Sequence, residues 1–304
     1  MKVEDIKTVL IVGSGNMGQQ IGFQCAACSY DVILYDISAD MLEKAMGRMG
    51  KLAKNYTASG RLTQEETEAA IGRIRTETDA AKAGEAADII SESVPEDPAL
   101  KGRIFGQFNE ICPERTVFTT NTSSLLPSMF AEQTGRPDRF AALHFHDTRF
   151  THVVDIMPHP GTSPETVALI EAFAKKIGQV AIVLQKENSG YVFNAMLMNL
   201  LDSAQTLAAN RVAAIEDIDR AWMGVMGTPI GPFGMMDGIG IDTAHKVTDY
   251  WARQTDDPQK KANADFLKQY VDKGHLGVKT GRGFYIYPKP AFQQPGFIDG
   301  KPSS

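Results

Sequence analysis

Gly13, Gly15 and Gly18 stand at the spacing G-x-G-x-x-G, just after an apolar run (Val9–Val12) and at the head of a helical segment (Met17–Cys28). That order suits a dinucleotide. The first glycine permits a tight turn, the second lets a pyrophosphate approach the backbone, and the third lets helix and strand pack closely. The helix start adds free N–H groups and the positive end of its dipole. A second apolar run, Val32–Tyr35, ends in Asp36. A carboxylate there accepts hydrogen bonds from the adenosine ribose and repels a 2′-phosphate, so NAD is favoured over NADP. Glycines cluster in many turns, but here strand, turn, helix and acid follow in the required sequence.

Hydride transfer from a secondary alcohol to such a cofactor leaves a proton that a base must take. A histidine suits this near neutral pH, above all when a carboxylate fixes its tautomer. His144 ends an expected strand (Phe140–Phe145), and Asp155 follows eleven residues later in the next strand (His152–Met157). Ser123 and Asn194 offer hydrogen bonds to a substrate oxygen. Cys25 and Cys28 form a CxxC spacing, but they lie well inside the first helix and read as small packing residues.

Ser38 suits the N-cap of a helix over 40–56 that carries Arg48, Lys51 and Lys54. Ser59-Gly60 breaks it, and a glutamate-rich helix (Thr63–Ile74) follows. This polar excursion reads as a solvated helical hairpin, or as a face gripping the phosphates of a substrate tail. Ala87–Val94 and Thr116–Thr120 are further strands, with a helix over Ala99–Ile111 between them. Ligands gather at the carboxyl ends of parallel strands, which places Glu96 and the cluster Asn121–Ser124 on the cofactor side. A helix over Glu165–Ile177 and a strand over Val180–Leu184 complete the alternation. Only helices follow: Tyr191–Asn210, Ile215–Met226 and Thr243–Gln254. The switch predicts an α/β, Rossmann-type, mostly parallel sheet over residues 1–187 and an all-helical domain over 188–304. The tail after Pro288 shows no periodicity and is expected to be extended or disordered.

At 304 residues there is room for two domains with substantial cores. Hydrophobic content of 43% and charged content of 22% are ordinary for a globular protein. A net charge of −6 argues against nucleic acid or an anionic membrane as partner. Three cysteines without framework spacing suggest a reducing compartment. No signal-type or bilayer-length apolar run is present, and the protein is expected to be cytoplasmic.

Several stretches, in their order and spacing, resemble the L-3-hydroxyacyl-CoA dehydrogenase family. They are GSGNMG (13–18), SVPEDPALK (93–101), TNTSSL (120–125), LHFHD (143–147), NSGYVFNAML (188–197), GTPIGPFGMMDGIGID (227–242) and GVKTGRGFYIY (277–287). The resemblance implies NAD-dependent interconversion of L-3-hydroxyacyl-CoA and 3-oxoacyl-CoA by a homodimer. It makes His144 the catalytic base, Asp155 its acid partner, and Ser123 and Asn194 substrate contacts. The glycine loop with Ser14, Asn16 and Met17, and Asp36, Glu96, Lys101, Ser123 and Lys279, would line the NAD site.

The chain departs from the family at several points. Asp155 stands where a glutamate is usual, with the spacing from His144 one residue shorter. HFHDT replaces HFFNP, so Asp147 takes the place of a substrate-orienting asparagine, with Arg149 near enough to neutralise it, and His146 reads as pocket wall. GYVFNAM loses an arginine at Ala195. Lysines that hold CoA phosphates align with Asn55 and Ser59, leaving Lys51, Lys54 and Arg61 as substitutes. These changes motivate two alternatives: a dehydrogenase of a non-CoA 3-hydroxy acid or related alcohol, and a non-catalytic NAD binder. His144, His146 and Asp147, with His152, also make a possible metal cluster, but the implied proton-transfer role of His144 argues against it and no metal is expected. The methionine- and leucine-rich stripe in Tyr191–Leu207 reads as core or dimer interface.

Overall fold

The computed structural model describes residues 1–300, which divide into two compact units, one ending at Val192 and the other beginning at Phe193. The first unit alternates strands and helices: β1 (Thr8–Val12), α1 (Asn16–Ala27), β2 (Asp31–Tyr35), α2 (Ala39–Ala58), α3 (Gln64–Gly72), β3 (Ile74–Glu77), α4 (Ala80–Gly84), β4 (Ile89–Glu92), α5 (Pro98–Ile111), β5 (Val117–Thr120), β6 (Phe140–Phe145), β7 (Val153–Pro158), α6 (Pro164–Lys176) and β8 (Val180–Val183). They build one eight-stranded sheet in the order β3-β2-β1-β4-β5-β6-β7-β8. Every neighbouring pair is parallel except β6 and β7. The expected Rossmann-type sheet is therefore present.

Strand residues alternate between two cores, as the period of two requires. Val9, Ile11, Val32 and Leu34 join Leu143, Phe145, Val154 and Ile156 in one cluster, packed on α1, α2 and α6. Leu10, Val12, Ile33 and Tyr35 join Phe105, Phe118, Phe130 and Phe140 on the opposite face. His144 and Asp155 fall between residues of the first cluster, so their side chains leave it on the other side of the sheet. Ser38 caps α2 as read, its Oγ accepting from Met41 N–H, and Asp97 caps α5 ahead of Pro98. The glutamate-rich helix stops earlier than expected, at Gly72, because Ile74–Glu77 turn back as an edge strand paired with β2.

The second unit holds α7 (Phe193–Ala209), α8 (Ile215–Met226), α9 (Pro232–Ile239), α10 (Ile241–Thr255) and α11 (Pro258–Val271). Phe233, Met236, Ile241, Leu267 and Tyr285 are at its centre. Helices α9 and α11 fall outside the three helices read from the sequence. The tail also differs from expectation: Phe292 and Phe297 are buried in this core, around a single 3-10 turn at Ala291–Gln293. The expected boundary at 187/188 precedes the end of the first unit. Ser189 Oγ and Tyr191 Oη donate to the carbonyls of Ser124 and Thr122, tying that segment to the sheet.

Candidate active site

The glycine turn after β1 is built by close approach. Gly13 has φ +104°, and a Cβ there would sit 2.7 Å from the Ser93 carbonyl. A Cβ on Gly18 would lie 2.0 Å from the Gly13 carbonyl, so this glycine is what lets α1 reach the strand. Gly15 is different: among the described residues a Cβ there would meet only Ser93 O, at 3.9 Å. Its outer side is open, and as N-cap of α1 it brings no side chain to the first-turn N–H groups. An open backbone with unsatisfied donors at a positive helix end fits a pyrophosphate. Asp36 accepts from Ser14 N–H (3.0 Å), Ser14 Oγ–H (2.8 Å) and Ser38 N–H (3.1 Å), so it also pins the turn it follows. Ser14 is fully buried against it.

At the ends of β4 and β5 lies a layer of buried charge. Lys101 Nζ is 2.7 Å from Glu92 Oε1 and 3.4 Å from Glu96 Oε2, with the lysine and Glu92 both shut off from solvent. Lys101, expected to line the NAD site, is the buried counter-ion of Glu92 and Glu96. Burial raises the Glu92 carboxyl, and Lys101 and the Thr120 hydroxyl draw it back only in part. Glu96 accepts from the Thr122 hydroxyl and from the N–H groups of Ser123 (3.0 Å) and Ser124 (3.1 Å). Burial alone would raise Glu96, but the hydroxyl bond and Lys101 hold it below the ordinary carboxylate value. Ser123 is thereby fixed at the backbone with its side chain exposed. Glu92 was missed from sequence, although an acid at the carboxyl end of an apolar strand is a readable signal. Asn121 was singled out only within its polar run; its Oδ1 takes the Phe145 N–H at 2.7 Å and ties the ends of β5 and β6 together.

In the antiparallel pair, His144 lies directly opposite Asp155. Nδ1 of His144 is 3.4 Å from Asp155 Oδ2, and both residues are buried. In this direct register the short aspartate side chain faces the imidazole. His146 is not simply pocket wall: its Nε2 is 3.0 Å from the same Oδ2. Tyr191 stacks on the His144 ring at 4.5 Å and 13°, and its own hydroxyl donates to Thr122 O at 2.6 Å. Burial acts to raise the Asp155 carboxyl, yet the hydrogen bonds from His144 and His146 hold it below the ordinary value.

Asp147 belongs to Arg149, which donates from Nε at 2.8 Å and from its own N–H at 3.0 Å, so its charge is neutralised as anticipated. The histidine-rich run is not the cluster read from sequence: the carboxylate between His144 and His146 is Asp155. Arg61, offered as a substitute for a phosphate-binding lysine, stacks over Tyr56 at 4.1 Å and donates to the Thr148 carbonyl at 3.3 Å. Lys51 and Lys54 are exposed on α2. Asn194 and Lys279 belong to the second unit, at the start of α7 and 2.5 Å from Asp242 respectively. Cys25 is buried in α1, and burial pushes its thiol far up, as suits a packing residue.

Comparison with known proteins supplies the family. The model of the 3-hydroxyacyl-CoA dehydrogenase NAD binding domain matches residues 8–188, and that of the C-terminal domain matches 190–287. The hydroxyacyl-coenzyme A dehydrogenase of Rattus norvegicus mitochondria is 32% identical over 290 residues, covering 93% of this chain and 91% of that one. The solved (S)-3-hydroxybutyryl-CoA dehydrogenase PaaH1 from Ralstonia eutropha is 32% identical with a TM-score of 0.84, covering 94% of this chain and 100% of its own. A diketoreductase structure, described as acting on dicarbonyl compounds, is 38% identical with a TM-score of 0.86, covering 93% of this chain and 99% of its own. With a glycine cradle suited to NAD, a buried histidine–aspartate couple and both domain models matched in order, the chain belongs to the 3-hydroxyacyl-CoA dehydrogenase family of NAD-dependent oxidoreductases.

Proposed function

We propose that the protein oxidises L-3-hydroxyacyl-CoA to 3-oxoacyl-CoA, or runs the reverse reduction, with His144 as the general base. The observation that carries this reading is the cross-strand register of His144 and Asp155 at the sheet end where ligands collect. Bound NAD supplies the hydride acceptor. His144 takes the hydroxyl proton on Nε2, while Asp155 faces Nδ1, orients the ring and stabilises its charged form. In reduction the same ring returns the proton. Ser123 and Asn194 hold the substrate oxygen, Asp147 shapes the substrate side, and Lys51 and Lys54 offer charge to phosphates. Asp36 takes the ribose hydroxyls, the Gly13–Gly18 backbone holds the pyrophosphate, and Glu96 and Lys279 complete the NAD site, with Lys101 supporting Glu96 from below. The exposed apolar residues of α7, among them Phe193, Met196 and Met198, support assembly as a homodimer.

A second reading rests on the commitment of Arg61 to Tyr56 and Thr148 and on the likeness to the diketoreductase. It keeps the hydride chemistry and places it on a carbonyl substrate without CoA. Following NADH absorbance with acetoacetyl-CoA and with free acetoacetate separates the two. Turnover of the thioester supports the first, turnover of the free acid alone supports the second, and tight NADH binding with neither would leave a nucleotide binder.

A further inference from the structure

We propose that His146 is a positioning residue of the acid–base couple, locking Asp155 by donating from Nε2 to the carboxylate oxygen that faces His144. This rests on the reading of His144 as base. The ring of His144 is already fixed from one side, because Tyr191 lies flat against it and is itself tied to Thr122. Among the described residues, Asp155 is held on its side by His146, which stands closer to Oδ2 (3.0 Å) than His144 does (3.4 Å). The two imidazoles meet edge to face at 4.7 Å, so His146 is placed by the same strand end that places the base. Asp155 is buried and has the shorter of the two acidic side chains; a second N–H donor offsets the cost of keeping its charge out of water.

Sharing has a consequence for catalysis. One oxygen divided between two donors stabilises each less than it would stabilise one alone. Removing the Nε2 donor should let Asp155 serve His144 undivided, favouring the protonated ring and moving the acid limb of the oxidation profile to higher pH. The groups facing His144 are Asp155 and His146 beside it in the sheet, and Tyr191 over its ring, with Glu92 and Glu96 beyond. Asp147 and Arg149 neutralise one another next in the chain.

The test is His146→Phe, which keeps the ring and loses the donor, beside His146→Gln, which keeps an N–H. In His146→Phe, kcat should fall roughly tenfold and the acid limb of kcat/KM rise by about half a unit to one unit. His146→Gln should restore most of both. An unmoved acid limb with kcat within about twofold of the parent overturns the inference. Long-range 1H–15N spectra of the protein without substrate give a second readout: His146 should carry its proton on Nε2, and Asp155→Asn should disturb that signal. A His146 ring protonated only on Nδ1 overturns the inference whatever the activity. Normal turnover in His144→Ala would instead remove the reading of the base and leave the spectroscopic result standing.

Discussion

Lys101 and Glu92 form an ion pair sealed from water on both sides, Nζ to Oε1 at 2.7 Å with side chains 1% and 0% exposed. Removing one partner strands the other charge in a low-dielectric interior, which costs far more than the pair contributes as a whole. Lys101→Met should therefore lower stability by about 3–5 kcal/mol, and adding Glu92→Gln should recover much of that. Urea denaturation of the two variants checks this. A Lys101→Met protein as stable as the parent would show that Glu92 takes up a proton or is reached by water.

For the base itself, His144→Ala should lower kcat by roughly two to four orders of magnitude while NADH affinity stays nearly unchanged. Steady-state kinetics and fluorescence titration with NADH read the two quantities separately. Normal turnover would take His144 out of the mechanism.

Asp36 pins the Ser14 turn, and this task can be pulled apart from the cofactor selection proposed for it. Asp36→Ala should weaken NAD binding, reduce discrimination against NADP and destabilise the turn by about 1–3 kcal/mol, since Ser14 loses its buried acceptor. Ser14→Ala removes one of the three hydrogen bonds to Asp36 and keeps the carboxylate, so it should keep the preference for NAD. Equal loss of preference in both variants would place the discrimination in the turn and not in the acid.

The helical unit has a pH dependence of its own. Burial, the leading cause, holds Asp219 and Asp237 above the ordinary carboxylate value, although backbone N–H groups and the hydroxyls of Tyr285 and Tyr287 pull the other way. A carboxyl whose folded value exceeds its unfolded value of about 3.9 adds stability that is complete below that point. That contribution is lost as pH rises through the folded value. Asp219→Asn and Asp237→Asn should each flatten the part of the stability curve just above about pH 4. Urea midpoints across that range decide it, and an unchanged slope in both variants would refute the claim.

The nucleotide cradle was legible because its glycines have steric duties that spacing alone reveals. The His144–Asp155 couple was legible because strand periodicity brings cross-strand neighbours to one face. The role of His146 was not, since it depends on a side chain reaching diagonally past the strand end. The position of Glu92 at a strand end was readable, but its pairing was hidden for a related reason: Lys101 comes from the next helix, and only three-dimensional packing joins them. Strand β3 escaped because its Arg75 and Thr76 carry polar side chains at a sheet edge, where no second face demands apolar residues. The tail after Pro288 escaped because two aromatic anchors, Phe292 and Phe297, suffice to bury it without any period.

His144 and Asp155 meet across a single hairpin, eleven residues apart, whereas strands β1, β2, β4 and β5 are gathered from just over a hundred residues of chain. Loop-closure entropy for so brief a connection is small. The proposed acid–base couple is thus closed by local chain, with Tyr191 and Thr122 adding a long-range clamp on the ring, whereas the dinucleotide seat depends on long-range strand pairings throughout. Drift or engineering of cofactor preference can proceed at the far strands while the chemistry at the hairpin stays intact.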